Sequence, residues 1–266
     1  MGRCSAHNIG GVLAILAALG TSCASGVSGV ADGLAETATG QCQGPQEVVL
    51  VDRSPTTDTP EIETEQRDIV AASIERAVAG CSELTVAEFG GSTALLNVIL
   101  SVDATPDGRN SDNRAEESPE KMRSILREVD SKRSDSPMDG GSGQLGAIQW
   151  ACEQMPDGGS LVVATDGAMT APVNLSNPEL SVELATEAAN AVAASAPQSC
   201  KEVALSVIGI GRVAGERPPE QVVTALRQFW TRWCSAAAFE SCRVTEVAPE
   251  TVDAANRILE WTDSES

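Results

Sequence analysis

The sequence predicts an α/β domain with a doubly wound, mostly parallel sheet, one antiparallel edge-side strand, and helices on both faces. Two observations carry this. Four apolar runs, Glu47–Val51, Leu95–Val102, Leu161–Ala164 and Val203–Ile210, lack polar alternation, the pattern of strands buried on both faces of a covered sheet. Segments with helical spacing fall between them, which is the alternation that builds βαβ units.

The elements follow in chain order. After the first run, Glu65–Ala79 places Ile69, Val70, Ile74, Ala77 and Val78 on one helical face. Leu84–Phe89, a turn at Gly90, Gly91 and Ser92, and the 95–102 run read as a hairpin, which supplies the antiparallel strand. Pro119–Val129 reads as a helix with Met122, Ile125, Leu126 and Val129 inward, and Met138–Ile148 as a glycine-rich loop running into a helix. After the strands 161–164 and 203–210, Pro218–Trp233 carries Val222, Val223, Leu226, Phe229, Trp230 and Trp233 on its core face. Cys242–Val247 is the expected last strand and Pro249–Trp261 a closing amphipathic helix. No internal repeat is visible.

Composition bounds the function. The chain has 266 residues, 42% of them apolar and 21% charged, and a formal net charge of −20. An extended contact with a phosphate backbone would be repelled over most of such a surface, so nucleic acid is not the expected partner. Abundant Ala, Gly and Val beside only three lysines suggest a high-GC bacterial genome.

The first 23 residues read as an address. Arg3 precedes an apolar run of 11 residues, Ile9–Leu19, and then come Gly20, Thr21, Ser22 and Cys23. A helix needs roughly 20 apolar residues to span a bilayer, so this is a secretory signal and not a permanent span. Its end, Leu19–Cys23, resembles the lipobox of bacterial lipoproteins, with Gly20 standing where an apolar residue is usual. Cys23 is then the expected lipidation site, and cleavage after Ala24 the alternative. The expected location is the outer face of the cell membrane, or the medium if Cys23 is not lipidated. Residues 24–41 are small and polar without periodicity, as in a flexible tether. The domain is expected over 42–248, with the closing helix and an acidic tail over 249–266.

Of eight cysteines, setting aside Cys4 and Cys23 leaves Cys42, Cys81, Cys152, Cys200, Cys234 and Cys242. An even number in an exported chain favours three disulfides, with fifteen pairings open. The sole histidine, His7, lies in the leader and there is no C-x-x-C pair. That excludes an imidazole or paired-thiolate zinc site and every histidine-based triad.

Chemistry gathers at the strand ends, where open α/β sheets bind ligands. The first strand runs into Asp52-Arg53-Ser54-Pro55-Thr56, a D-x-S-x-T arrangement that puts a carboxylate and two hydroxyls in one tight loop. Such a set suits a hard divalent cation. The glycine-rich loop offers the hydroxyl of Ser142, and the 161–164 strand ends in Thr165-Asp166-Gly167. Either carboxylate loop by itself reads as a turn or cap; what gives them weight is their joint occurrence on suitable elements.

These three loops, in this order, resemble the metal-ion-dependent adhesion site of von Willebrand factor type A domains, and the resemblance covers about residues 45–248. It implies that Asp52, Ser54, Thr56, Ser142 and Asp166 hold one Mg²⁺ or Mn²⁺, with Ser142 in place of the usual threonine. It also implies that an acidic group of a partner completes the coordination. Arg53, Pro55 and the 168–176 loop would rim the metal. With strand order added, Cys42 and Cys81 precede neighbouring strands at the end opposite the metal, so the expected bridges are Cys42–Cys81, Cys152–Cys200 and Cys234–Cys242.

The expected function is an exported, lipid-anchored binding protein of the bacterial envelope, not an enzyme, that recognises a protein or other acidic ligand through the cation. One alternative is a structural envelope domain with a vestigial site. Another is a Mg²⁺-dependent phosphohydrolase of the haloacid dehalogenase type, which wants a second Asp where Ser54 stands. Two other motifs carry less. Asp103–Gly108 begins like a calcium-binding EF-hand loop, but its twelfth position is Arg114, not a bidentate Glu. Gly209–Ala214 matches G-x-G-x-x-A, yet Pro218 and Pro219 follow and no acidic strand end suits a ribose.

Overall fold

The structure is a computed structural model and describes residues 42–260, apart from 91–95, 109, 134–137, 139–142, 195 and 197. The leader, Cys23, the tether and Ser142 lie outside the described residues.

Six strands form one sheet in the order β3-β2-β1-β4-β5-β6. They are β1 (Gln46–Asp52), β2 (Glu83–Phe89), β3 (Asn97–Asp103), β4 (Gly159–Ala164), β5 (Val203–Ile208) and β6 (Ser241–Thr245). Every neighbouring pair is parallel except β2 with β3, which is antiparallel and lies at the edge. The register aligns Asp52 with Phe89, Val51 with Ala164, and Ala164 with Ile208. The loops that follow β1, β4 and β5 therefore leave the sheet at the same level.

Side-chain alternation along β1 divides the core in two. Val48 and Leu50 face a layer built on α3 (Gln144–Gln154), α4 (Val182–Ala193) and α5 (Glu220–Ala237). Val49 and Val51 face α1 (Pro60–Gly80), α2 (Ser111–Lys132) and α6 (Ala254–Glu260). Each such buried Val or Leu is worth about 1.5–3 kcal/mol in transfer from water, so the centre of the sheet is the most firmly held part of the domain. The aromatic residues of α5 are core, as their spacing predicts: Phe229, Trp230 and Trp233 are buried and meet edge to face.

Several elements differ from expectation for physical reasons. Helix α1 begins at Pro60, where the Thr59 side chain accepts the Ile62 N–H and Glu61 and Glu63 sit in the positive first turn. Helix α2 begins at Ser111, capped by Asn110, and Pro119 lies inside it. Its first turns carry no apolar stripe because burial starts only at Met122. Helix α4 was not expected at all. Its inward face is Ala185, Ala189 and Val192, which keep helical spacing but are small, and they pack along α5. The 95–102 run is not doubly buried: as edge strand β3 it buries Ile99 and Leu100 and leaves Val98 46% exposed. The C-terminal segment divides into a short 3₁₀ turn at Pro249–Thr251 and α6.

Three disulfides close the domain: Cys42–Cys81, Cys152–Cys200 and Cys234–Cys242, with Cα separations of 5.6, 5.0 and 6.1 Å. This is the pairing that strand order favours. The first bridge joins the segments entering β1 and β2, at the end of the sheet opposite Asp52. Among the described residues, no helix is long and apolar enough to cross a membrane.

Candidate metal centre

Strand β1 delivers Asp52 to the carboxyl end of the sheet, fully buried. The chain then turns through Ser54 into a 3₁₀ turn at Pro55–Thr57. That turn is held from inside. The Thr57 hydroxyl donates to the Asp52 and Ser54 carbonyls at 2.8 and 2.9 Å, and Gln66 Nε2 of α1 reaches the Asp52 carbonyl at 2.8 Å. Asp52 Oδ1 accepts the Ser54 N–H at 2.9 Å, and the hydroxyls of buried Ser54 and exposed Thr56 lie 3.0 Å apart.

Strand β4 delivers Thr165 and Asp166 beside it. The Thr165 hydroxyl donates to Asp52 Oδ2 at 2.7 Å, so the first and third loops are directly bonded. Asp166 is buried; its Oδ1 accepts the Ala168 N–H at 2.8 Å, and its Oδ2 is buried with no hydrogen bond among the described residues. Gly167, at φ 80°, lets the chain turn under Trp230, whose indole N–H donates to the Gly167 carbonyl at 3.0 Å. The loop after β5 closes one side, with Gly211 N–H on the Asp166 carbonyl and Ala214 N–H on the Thr56 carbonyl.

Electrostatics follow from this packing. Burial pushes the Asp166 carboxyl up to about 7, and the charge of Asp52 adds to the rise; the neighbouring Thr56 hydroxyl and the Ala168 N–H act the other way. Two buried carboxylates repel each other here, a pattern found at functional sites as well as in structural networks.

The structure thus brings Asp52, Ser54, Thr56 and Asp166 together. Ser142 lies outside the described residues; the segment that follows it reaches the site through Gln144, whose amide contacts Asp52 and Thr165. Pro55 is exposed at the rim, but Arg53 is not: its guanidinium is buried, paired with Glu63 at 2.8 Å and with Glu88 at 3.7 Å. The side chain turns inward because two carboxylates await it there. Thr57, Gln66 and Gln144 carried no sequence signal and Trp230 reads from sequence only as core, since each supports the site by a contact that only the fold creates.

The donor set suits a hard divalent cation. It is made of oxygen only, two carboxylates and neutral hydroxyls, with one carboxylate oxygen buried and unbonded. Among the described residues, no cluster of three or more His, Cys, Asp or Glu side chains is placed to hold a metal, so a site here must use the hydroxyls.

No protein-family model matches the chain, and comparison with curated proteins finds no relative. Among solved structures, it is similar to an aerotolerance-related membrane protein from Bacteroides fragilis at 15% identity, with 82% of this chain and 98% of that one covered and a TM-score of 0.44. It is similar to BatB from Bacteroides thetaiotaomicron at 15% identity, with coverages of 82% and 98% and a TM-score of 0.43. A von Willebrand factor type A structure from Catenulispora acidiphila matches at 12% identity, covering 83% of this chain and 42% of that one, with a TM-score of 0.38. These are likenesses of chain course; the fold class is read from the sheet order itself, and the site from the residues of this chain.

Proposed function

We propose that this chain is an exported, lipid-anchored protein of the bacterial envelope that binds a protein or other acidic ligand through one Mg²⁺ or Mn²⁺ held by Asp52, Ser54, Thr56, Ser142 and Asp166. The observation that carries this reading is Asp166 Oδ2, a carboxylate oxygen buried beside a second carboxylate with no hydrogen bond to satisfy it. Leaving a buried polar atom of this kind unpaired is costly, and a divalent cation would both bond that oxygen and offset the repulsion. Bound there, the cation would offer a position to a carboxylate of the partner. Because Ser54, Thr56 and Ser142 are neutral, they leave more of its charge for that partner than further carboxylates would.

Binding, not catalysis, is the proposed role. Ser54 stands where a haloacid dehalogenase-type phosphohydrolase needs its proton-donating Asp, and the chain's sole histidine is His7. Anchoring by Cys23 would hold the site outside the cell, where the three disulfides are chemically at home.

Calorimetric titration of Mg²⁺ and Mn²⁺ into the intact, EDTA-treated and dialysed chain tests this. One binding site is expected, lost in Asp166→Ala. Absence of binding by the unsubstituted chain, or binding that survives Asp166→Ala, would overturn the reading.

A further inference from the structure

Gln144, the first residue of α3, is fully buried. Its side-chain nitrogen lies 2.6 Å from the Ala168 carbonyl, 3.2 Å from Thr165 Oγ1 and 3.5 Å from Asp52 Oδ2. A carbonyl oxygen only accepts, so the Ala168 contact fixes which end of the amide faces the loops. The amide oxygen is buried and has no hydrogen-bond partner among the described residues. A buried acceptor left unpaired costs about 1–3 kcal/mol, which a methionine or leucine at this position would avoid. Packing alone does not account for an amide here.

What the amide does is fix a network. Thr165 Oγ1 accepts from the Gly167 N–H at 3.1 Å and from Gln144. With its lone pairs engaged, the hydroxyl proton must point to Asp52 Oδ2 at 2.7 Å. Gln144 therefore orients a bond it does not itself make, and ties α3, the end of β1 and the turn after β4 into one unit.

We propose that Gln144 is a positioning residue of the cation site, one that holds Asp52 and the Thr165–Ala168 turn in a single arrangement and so favours Mg²⁺ over Ca²⁺. This rests on the metal-binding reading above. The selectivity follows from geometry: Mg²⁺ demands near-octahedral oxygen ligands at roughly 2.0–2.1 Å, whereas Ca²⁺ accepts looser sets of about 6–8 ligands. Partners that orient metal ligands typically matter by about 10–100-fold in affinity.

The test is titration of Mg²⁺ and of Ca²⁺ into the intact chain, Gln144→Met and Thr165→Val, with thermal melts in EDTA. Gln144→Met is expected to weaken Mg²⁺ at least about tenfold and Ca²⁺ much less, narrowing the Mg²⁺/Ca²⁺ ratio. Thr165→Val removes outright the bond to Asp52 that Gln144 orients and is expected to do likewise, which keeps the test open if Gln144→Met does not fold. A lower melting temperature with an unchanged Mg²⁺/Ca²⁺ ratio in the folded variants would show a purely structural role and overturn the proposal. Failure of the unsubstituted chain to bind either ion would instead overturn the metal reading, and this inference with it.

Discussion

The loops after β1 and after β4 both present a carboxylate at the end of a buried parallel strand, yet the two carboxylates are held in opposite ways. Asp52 has both oxygens hydrogen-bonded inside the protein, Oδ1 by Ser54 and Oδ2 by Thr165. Asp166 has one oxygen bonded and one buried with no bond among the described residues. Asp52 is thus anchored by the fold, whereas Asp166 carries a need that the fold alone does not meet. One sequence pattern, strand followed by Asp, hides two physical states.

The largest effect that would break this comparison comes from removing each charge in turn. Asp52→Asn and Asp166→Asn are both expected to abolish cation binding and to relieve the repulsion, yet to leave Asp52→Asn with the lower melting temperature in EDTA, because only Asp52 has both oxygens bonded. In Asp52→Asn an amide NH₂ can face the Thr165 hydroxyl, whose own proton is already committed in that direction; a donor then meets a donor, at a cost of about 1–3 kcal/mol. In Asp166→Asn the Ala168 N–H keeps an acceptor and the repulsion with Asp52 disappears, so the melting temperature rises. The rise depends on pH with a definite sign. The folded-state pKa of Asp166 is raised to about 7 from an ordinary value of 3.8. The native state therefore binds the proton more tightly than the unfolded chain, and metal-free stability falls as pH rises between those values. The advantage of Asn is full above about pH 7 and shrinks towards pH 4. Equal destabilisation by both substitutions at pH 8 would show that the carboxylates are not differently held.

A second difference lies in the backbone. The turn after Asp166 depends on Gly167 at φ 80°, where an added Cβ would lie 2.5 Å from Ile210 Cδ1 and 3.0 Å from Trp230 Nε1. No residue of 52–58 has positive φ. Gly167→Ala is expected to cost about 2–4 kcal/mol, adding left-handed strain to overpacking against Ile210 and Trp230. Urea denaturation in EDTA reads it as a lowered midpoint with an unchanged slope; an unchanged midpoint would mean the turn relaxes without Gly167.

How much of this was legible in the sequence divides along the same line. Strand-forming runs and the D-x-S-x-T and T-D-G strand ends are local patterns, so the parallel sheet and the residues Asp52, Ser54, Thr56 and Asp166 could be read directly. Helix α4 went unread although Ala185, Ala189 and Val192 keep helical spacing, because residues so small look little like a core face, and the start of α2 went unread because its first turns bury no apolar side chain. Arg53 was expected at the rim from its place in the motif. It turns inward because Glu63 and Glu88 arrive from α1 and β2, which no local pattern records. Gln144 is silent for the same reason, its partner Ala168 lying 24 residues away, and Thr165 reads only as part of its turn, its bond to Asp52 spanning 113 residues.

The smallest expected effect sharpens the comparison from the side of the first loop. Thr57→Val removes a buried hydroxyl that donates to the carbonyls of Asp52 and Ser54. Neither carbonyl is orphaned by the change. Gln66 Nε2 still reaches the Asp52 carbonyl at 2.8 Å, and the Thr57 N–H still reaches the Ser54 carbonyl at 3.0 Å. The loss is therefore that of a net hydrogen bond, about 0.5–1.5 kcal/mol, and not of a stranded acceptor. With Asp52 still fixed by Ser54, Thr165 and Gln144, Mg²⁺ affinity by titration is expected to stay within about twofold, under half a kcal/mol. A tenfold loss would show that the first loop, for all its redundant bonds, is no more rigid than the third.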